Sequence, residues 1–214
     1  MRPRILIGIA VILAAAAAVF FLVGGSDDRG DPNLAQIDKL REKRDIPALA
    51  AKVSDSSEVV ARHAVGALAR LGPGSLPEIR KAMQDPRPGV REAAATGFAQ
   101  VGRHEEGAPL VKLVREDESA NVRAAAVSGL DRMCAFDEME TIIAAMDDPD
   151  VIVRRRAGKA ATRFACADVG FRADDPPDKR QAAIERMRAL WREEKDRARR
   201  YWTAYIAQKQ KKDE

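Results

Sequence analysis

Few side chains in this 214-residue chain are placed to make or break bonds. His104 and Glu105 stand side by side, a pairing that could ligate a metal if several such pairs faced each other. Here there is one, and His63 stands apart from it. No serine or cysteine has a base at a recognisable spacing, and no glycine-rich loop could cradle a phosphate. Cys134 and Cys166 could pair in an oxidising compartment. Packed helices, however, sit ~8–10 Å apart, and a disulfide wants Cα atoms at about 4.4–6.8 Å. Two buried thiols are the expected state. No catalytic residue, metal or cofactor is expected.

The regular pattern is ionic and apolar. Asp55, Asp85, Asp117 and Asp148 each precede a valine by five residues, at Val60, Val90, Val122 and Val153, in steps of 30, 32 and 31. Arg91, Arg123 and Arg154 follow the valine directly, while the first copy has Ala61 there and Arg62 next. Small residues lie four places past the valine, at Ala64, Ala94, Ala126 and Ala157. Apolar ones lie eleven past it, at Leu71, Val101, Met133 and Phe164. A fixed period of this length marks a stacked array of small units.

Each unit reads as two helices. Asp85-Pro86 and Asp148-Pro149 look like helix starts, because aspartate accepts hydrogen bonds from free amides and proline suits the first helical position. Val90, Ala94, Phe98 and Val101 then form one apolar stripe, closed by Gly102, as Gly72 closes the unit before. A second helix opens with Pro47, Pro77 or Pro109. Counting back from the next aspartate, its apolar positions are Leu49, Ile79, Val111 and Ile142, and then Val53, Met83 and Met146, where Arg115 breaks the pattern. On that count Leu110 and Leu113 stand where the preceding unit has Glu78 and Lys81, and Ile143 stands where it has Arg80.

The aspartate, the valine-arginine pair, the alanine stripe and the closing Leu-Gly, as in Val60 to Gly72, resemble the HEAT-like repeat family in the short form known from phycobilin lyases. The resemblance covers roughly Leu34 to Phe164. It implies an all-α fold, a right-handed α-solenoid of helix pairs. It also implies a structural ladder of Asp55, Asp85, Asp117 and Asp148 with Arg91, Arg123 and Arg154, and it puts first helices on the convex side and second helices on the concave side. In that frame Leu110, Leu113 and Ile143, beside Glu78 and Lys81, would line a partner-binding groove. Alternatively, a slight rotation turns Leu110 and Leu113 inward to make up for Arg115. The scaffold itself hosts many unrelated roles.

The two ends differ from the array. Ile5 to Val23 is an uncharged run of 19 residues, ~28 Å as helix, about the hydrocarbon thickness of a bilayer. Arg2 and Arg4 precede it and Asp27, Asp28 and Asp31 follow. Residues 1–25 therefore read as a transmembrane signal-anchor, with its amino terminus in the cytoplasm and the repeats outside. Cleavage before Ser26 would secrete them instead. Residues 26–32 read as a linker, 33–165 as the repeats and 166–177 as a second linker.

Residues 178–214 read as a long helix with 12 basic and 7 acidic side chains. It is either a cap folded onto the last repeat or an arm whose Arg199, Arg200, Trp202 and Tyr205 meet an acidic partner or anionic surface. The net charge of +4 is too small to imply nucleic acid, which is not an expected partner. The sum is a membrane-anchored, exported scaffold that binds a protein partner. An accessory subunit or lyase-like enzyme acting on a bound cofactor stays open beside it.

Overall fold

Each anchoring aspartate builds a turn before it meets any neighbour. One carboxylate oxygen of Asp55, Asp85, Asp117 and Asp148 accepts the backbone N–H two residues on, from Ser57, Arg87, Ser119 and Asp150, at 2.8–2.9 Å. These are side-chain-closed turns. They delay the helix starts, whose caps are Ser57, Arg87, Ser119 and Asp150 rather than the anchoring aspartates. Pro86 and Pro149 sit inside the turn, where their fixed φ and missing N–H cost nothing.

The computed structural model describes residues 32–213. The elements are α1 (Pro32–Glu42), α2 (Ile46–Val53), α3 (Glu58–Arg70), α4 (Leu76–Ala82), α5 (Pro88–Val101), α6 (Ala108–Glu116), α7 (Ala120–Arg132), α8 (Met139–Ala145), α9 (Val151–Ala165) and α10 (Pro177–Asp213). No strand occurs among the described residues. The apolar run and the predicted anchor lie outside them, and no described helix is long and apolar enough to cross a membrane. From Ile37 onward the chain forms one unit.

The first helices, α3, α5, α7 and α9, carry the valine-arginine motif and stack directly on one another. Their contact columns are alanine and glycine, and the approach is close. A methyl group on Gly97 would lie 3.2 Å from the Ala69 Cβ, and one on Gly129 would lie 3.1 Å from the Ala99 Cβ. The second helices, α2, α4, α6 and α8, pack mainly against first helices, and only α6 and α8 meet each other substantially. The first helices are thus the more closely packed row of this unit, because their columns hold the smallest side chains.

The ladder forms, with each arginine reaching two turns. Arg91 donates through Nε and Nη2 to the two carboxylate oxygens of Asp117, at 2.7 and 3.0 Å. Its Nη1 donates to the carbonyls of Asp85 and Pro86, both at 3.0 Å. Arg123 does the same with Asp148, at 2.8 Å to each oxygen, and with the carbonyls of Asp117 and Glu118. Ala61 leaves the first rung without its arginine. Arg87 fills it from the next turn, binding Asp85 and the carbonyls of Val53 and Asp55. Arg154 meets no anchoring carboxylate among the described residues and donates to the Ala173 carbonyl at 2.9 Å instead.

The proposed apolar groove is core. Leu110 and Ile143 are fully buried, and Leu113 is 8% exposed. The cause is register. Leu110, Leu113 and Val114 follow Ile79, Ala82 and Met83 by 31 residues, yet Asp117 follows Asp85 by 32. The extra residue lies between Val114 and Asp117, so counting back from the aspartate misplaces α6 by about 100° of helix. Val111 is correspondingly half-buried, and Arg115 points out to bond the Thr141 hydroxyl at 2.7 Å. Ile143 is buried on α8, which α6, α9 and the C-terminal helix all contact. Glu78 and Lys81 pair with each other at 2.9 Å on the outside of α4.

Arg123→Ala should destabilise the array by about 1–3 kcal/mol, since it strands a carboxylate and two carbonyls. Arg156→Ala, outside the ladder, should stay within about 0.5 kcal/mol. Urea melts of both compare them directly, and equal small losses would show that the ladder carries no stability. Leu113→Glu should cost several kcal/mol, as an unpaired carboxylate enters the core; a wild-type melting midpoint would restore the groove.

Acid should weaken the rung at Asp85. The hydrogen bond from Arg87 holds the Asp85 carboxyl below its ordinary 3.8, against the opposing effect of burial. A carboxylate with a depressed folded pKa stabilises fully above the unfolded value and loses that contribution as pH falls through the folded one. The stability gap between wild type and Asp85→Asn should therefore be open at pH 7 and 5 and narrow by pH 3. A gap of constant size across urea melts at the three pH values would exclude the ionic account.

Candidate functional site

Whether the C-terminal helix caps or projects is settled by its buried stripe. Ala183, Ile184, Met187, Trp191, Ala198 and Trp202 are all buried along α10, which packs on α9 and α8. Trp202 of the predicted arm is 4% exposed. A buried indole N–H needs an acceptor, and here it donates to the Phe164 carbonyl at 3.0 Å. The Trp202 and Phe164 rings meet edge to face with centroids 5.4 Å apart. The Arg163 guanidinium lies 4.8 and 4.7 Å from the same two rings and is bound by Asp131. Arg199 pairs with Asp137 at 2.7 Å. Trp202 and Arg199 thus fasten a cap. Arg200, Tyr201 and Tyr205 remain exposed, and the Tyr205 ring meets Trp202 edge to face.

The remaining chemical candidates serve structure. Cys134 and Cys166 are free thiols, the first buried and the second exposed. Each follows a helix in left-handed backbone, at φ 56° and 53°. The next amide in each case reaches back five residues, Ala135 to the Leu130 carbonyl and Ala167 to the Thr162 carbonyl. This is the helix-ending motif that usually takes glycine. Their matched places in adjacent repeats reflect that cap. His104 stacks on Phe136, with ring centroids 6.2 Å apart, and lies 3.3 Å from Glu105. Among the described residues no three His, Cys, Asp or Glu side chains gather as a metal site would require.

The outward face of the first helices is different. Three places past each anchor valine stand His63, Ala93, Ala125 and Arg156. Six places past it stand Gly66, Thr96, Ser128 and Lys159, and ten places past it Arg70, Gln100, Arg132 and Arg163. All are exposed or half-buried, and no carboxylate occurs in these columns. Arg62, Arg70, Arg132, Arg156 and Lys159 hold no hydrogen-bond or ion-pair partner among the described residues. By contrast, Arg155 next door pairs with Asp174 at 3.0 Å. A trough of about 300 Å³ lies between α3 and α5, with Arg62 and Arg70 on one wall and Glu92, Thr96 and Gln100 on the other. The copies therefore differ on the exposed face of the first helices as well as on the second helices.

A second cleft, of about 450 Å³, lies where α10 passes the end of α9, between Cys166, Leu190, Glu194, Arg197 and Tyr201. Its walls mix apolar, acidic and basic groups without a convergent set of donors.

Residues 46–131 match the family model for HEAT repeats. No curated protein matches the chain. Among solved structures, the chain is similar to the complex of CpcE and CpcF of phycocyanin lyase from Nostoc sp. PCC7120. The TM-score is 0.51 and the identity 20%, over 68% of this chain and 99% of that one. It is also similar to a designed armadillo repeat protein in complex with the peptide (KR)4, with TM-score 0.44 and 21% identity, over 81% of this chain and 85% of that one. The chain is an all-helical repeat solenoid that shares its fold with the phycocyanin lyase chain.

Proposed function

We propose that this chain is a scaffold that holds a protein partner along the exposed face of its first helices. The observation that carries this reading is the division of labour among its polar groups. Ladder arginines and anchoring aspartates bind within the array, whereas Arg62, Arg70, Arg132, Arg156 and Lys159 bind nothing in it. Repeat surfaces of this kind recognise partners with the positions in which the copies differ. The 19-residue apolar run from Ile5 to Val23 supports a second part of the proposal, that the scaffold is held at a membrane with its repeats on the exported side.

A photo-crosslinking residue placed at Thr96 or at Arg132, both exposed on the first-helix side, should capture a discrete protein in cells. The same residue at Ala144, exposed on α8, should not. The captured complex should stay with membranes through a high-salt wash and leave with detergent. Capture at Ala144 alone would move the binding surface to the second helices. Recovery in the soluble exported fraction would remove the anchor and keep the scaffold.

An accessory subunit acting on a bound cofactor is the second reading. The fold shared with the phycocyanin lyase chain and the cleft beside Cys166 and Tyr201 support it. It requires visible or near-ultraviolet absorbance that copurifies with the chain and is lost on blocking that cleft with Ala198→Trp. A colourless preparation that still captures its partner leaves the scaffold alone.

A further inference from the structure

We infer that the segment recognised by the first-helix face is an acidic, extended polypeptide whose carboxylates fall in two groups separated by a neutral stretch. This rests on the scaffold reading above and names the chemistry of its partner. The free cations are not spread evenly. Arg62 and Arg70 stand on α3, and Arg132, Arg156 and Lys159 stand on α7 and α9. Between them α5 offers Ala93, Thr96 and Gln100, together with the half-buried carboxylate Glu92. On α7 the neutral floor continues with Asn121, Ala125 and Ser128.

That order fits a peptide better than other polyanions. Nucleic acid carries one charge at every phosphate, and a neutral centre bearing Glu92 would repel part of it. Single-stranded bases also bind by stacking on aromatic rings, and the exposed large apolar side chains on these helices are only Val59 and Ile152. A membrane surface presents its headgroups in no fixed order, whereas the cations of this face are divided by a neutral stretch. An extended peptide presents one N–H and one C=O per residue. The side chains of Thr96, Gln100 and Asn121 offer donors and acceptors to such a backbone, and the Ser128 hydroxyl, which donates to the Ala124 carbonyl at 2.9 Å, can still accept an N–H. Small side chains at Gly66, Ala93 and Ala125 let it come close.

The spacing can be stated. First helices in contact lie ~8–10 Å apart, so two steps from α3 to α7 span roughly 16–20 Å. Extended chain covers about 3.3 Å per residue, so the two acidic groups should be about five or six residues apart. Three steps, to α9, extend this to roughly eight or nine.

The test uses the full-length chain in non-ionic detergent and fluorescent peptides carrying two Glu-Glu pairs separated by two, six or twelve Gly/Ser residues. Anisotropy should show tightest binding at the spacing of six. It should weaken at least tenfold for Arg132→Glu combined with Arg156→Glu, and several-fold on raising salt from 50 to 300 mM. All five cations are exposed and unpaired, so the melting midpoint of the double variant should match wild type. A peptide with Gln in place of Glu should bind at least tenfold more weakly. Equal binding of the Gln peptide would overturn the acidic partner while Thr96 crosslinks kept the scaffold. Loss of crosslinks at Thr96 and Arg132 would overturn the scaffold itself. Tighter binding of duplex DNA or of phosphatidylglycerol mixed micelles than of any peptide would assign the face to that class and overturn the proposal.

Discussion

The array depends on one buried interaction, the bidentate bond from the arginine of one repeat to the anchoring aspartate of the next. The side chains of Arg91 and Asp117 are 10% and 4% exposed, and those of Arg123 and Asp148 are 13% and 9% exposed. Groups so deeply placed must be paired, because an ion left alone there costs several kcal/mol. The same arginine also satisfies two carbonyls of its own turn. A turn is therefore complete only when its own helix and its neighbour are both in place. This makes the repeats interdependent and fixes the vertical register at which their alanine and glycine columns meet. Hydrophobic burial supplies the larger share of the stability in such a stack, and the bidentate bond adds a directional constraint that holds the packed columns in that register.

An array held by rungs has a problem at each end, and the chain solves the two differently. At the start, Ala61 cannot supply a guanidinium. Arg87 reaches across instead, spanning from Asp85 to carbonyls more than thirty residues earlier. At the finish no anchoring carboxylate among the described residues accepts from Arg154. The chain turns back after α9, and the Ala173 carbonyl takes the place of the carboxylate. The segment that provides it also seats Phe171 against Gly158, where a Cβ would come within 2.6 Å of the ring. The long helix α10 then covers the last apolar layer with a stripe of period near 3.6 and turns a charged face outward. End repeats of a solenoid need such a polar outer side. The Trp202, Phe164 and Arg163 cluster fastens it at the point where the repeat pattern stops.

Much of this was legible in the sequence, for a reason particular to repeats. Four copies of one unit act as an alignment within a single chain, so Asp55 to Asp148 and Val60 to Val153 disclosed the period and the helix pairs. The ladder was likewise legible at Arg91 and Arg123. What failed was anything that depended on register inside one copy. Leu113 and Arg115 could not be ordered correctly, because an inserted residue at the end of α6 and one in the loop before it give the same total length. Relative to the unit before, a count from the downstream aspartate points to Val111 and a count from the upstream valine to Pro109, while the buried residue is Leu110, one place from each; one place is the difference between core and surface. The helix starts were misplaced for a similar reason. Asp85 caps a turn rather than a helix, and aspartate followed by proline suits both.

The candidate site was missed because its signal is a lack of partners, which sequence does not display. Arg123 and Arg132 look alike in composition and differ only in what lies within reach. Among the described residues, some arginines close turns, some hold the cap, some pair with nearby side chains as Arg115 does with Thr141 and Arg80 with Glu106, and some hold no partner. An exposed ion pair stabilises little, so selection for stability alone has small reason to place five unpaired cations on one face. They also lie around a surface of small, hydrogen-bonding side chains that contributes nothing to the core. Repulsion among them is a mild destabilisation, and cations gathered on one face draw an anionic partner inward and hold it. Free charge beside a neutral floor is thus a cost to the isolated solenoid that a bound acidic segment would remove, and that asymmetry is the physical ground for proposing the first-helix face as the partner surface.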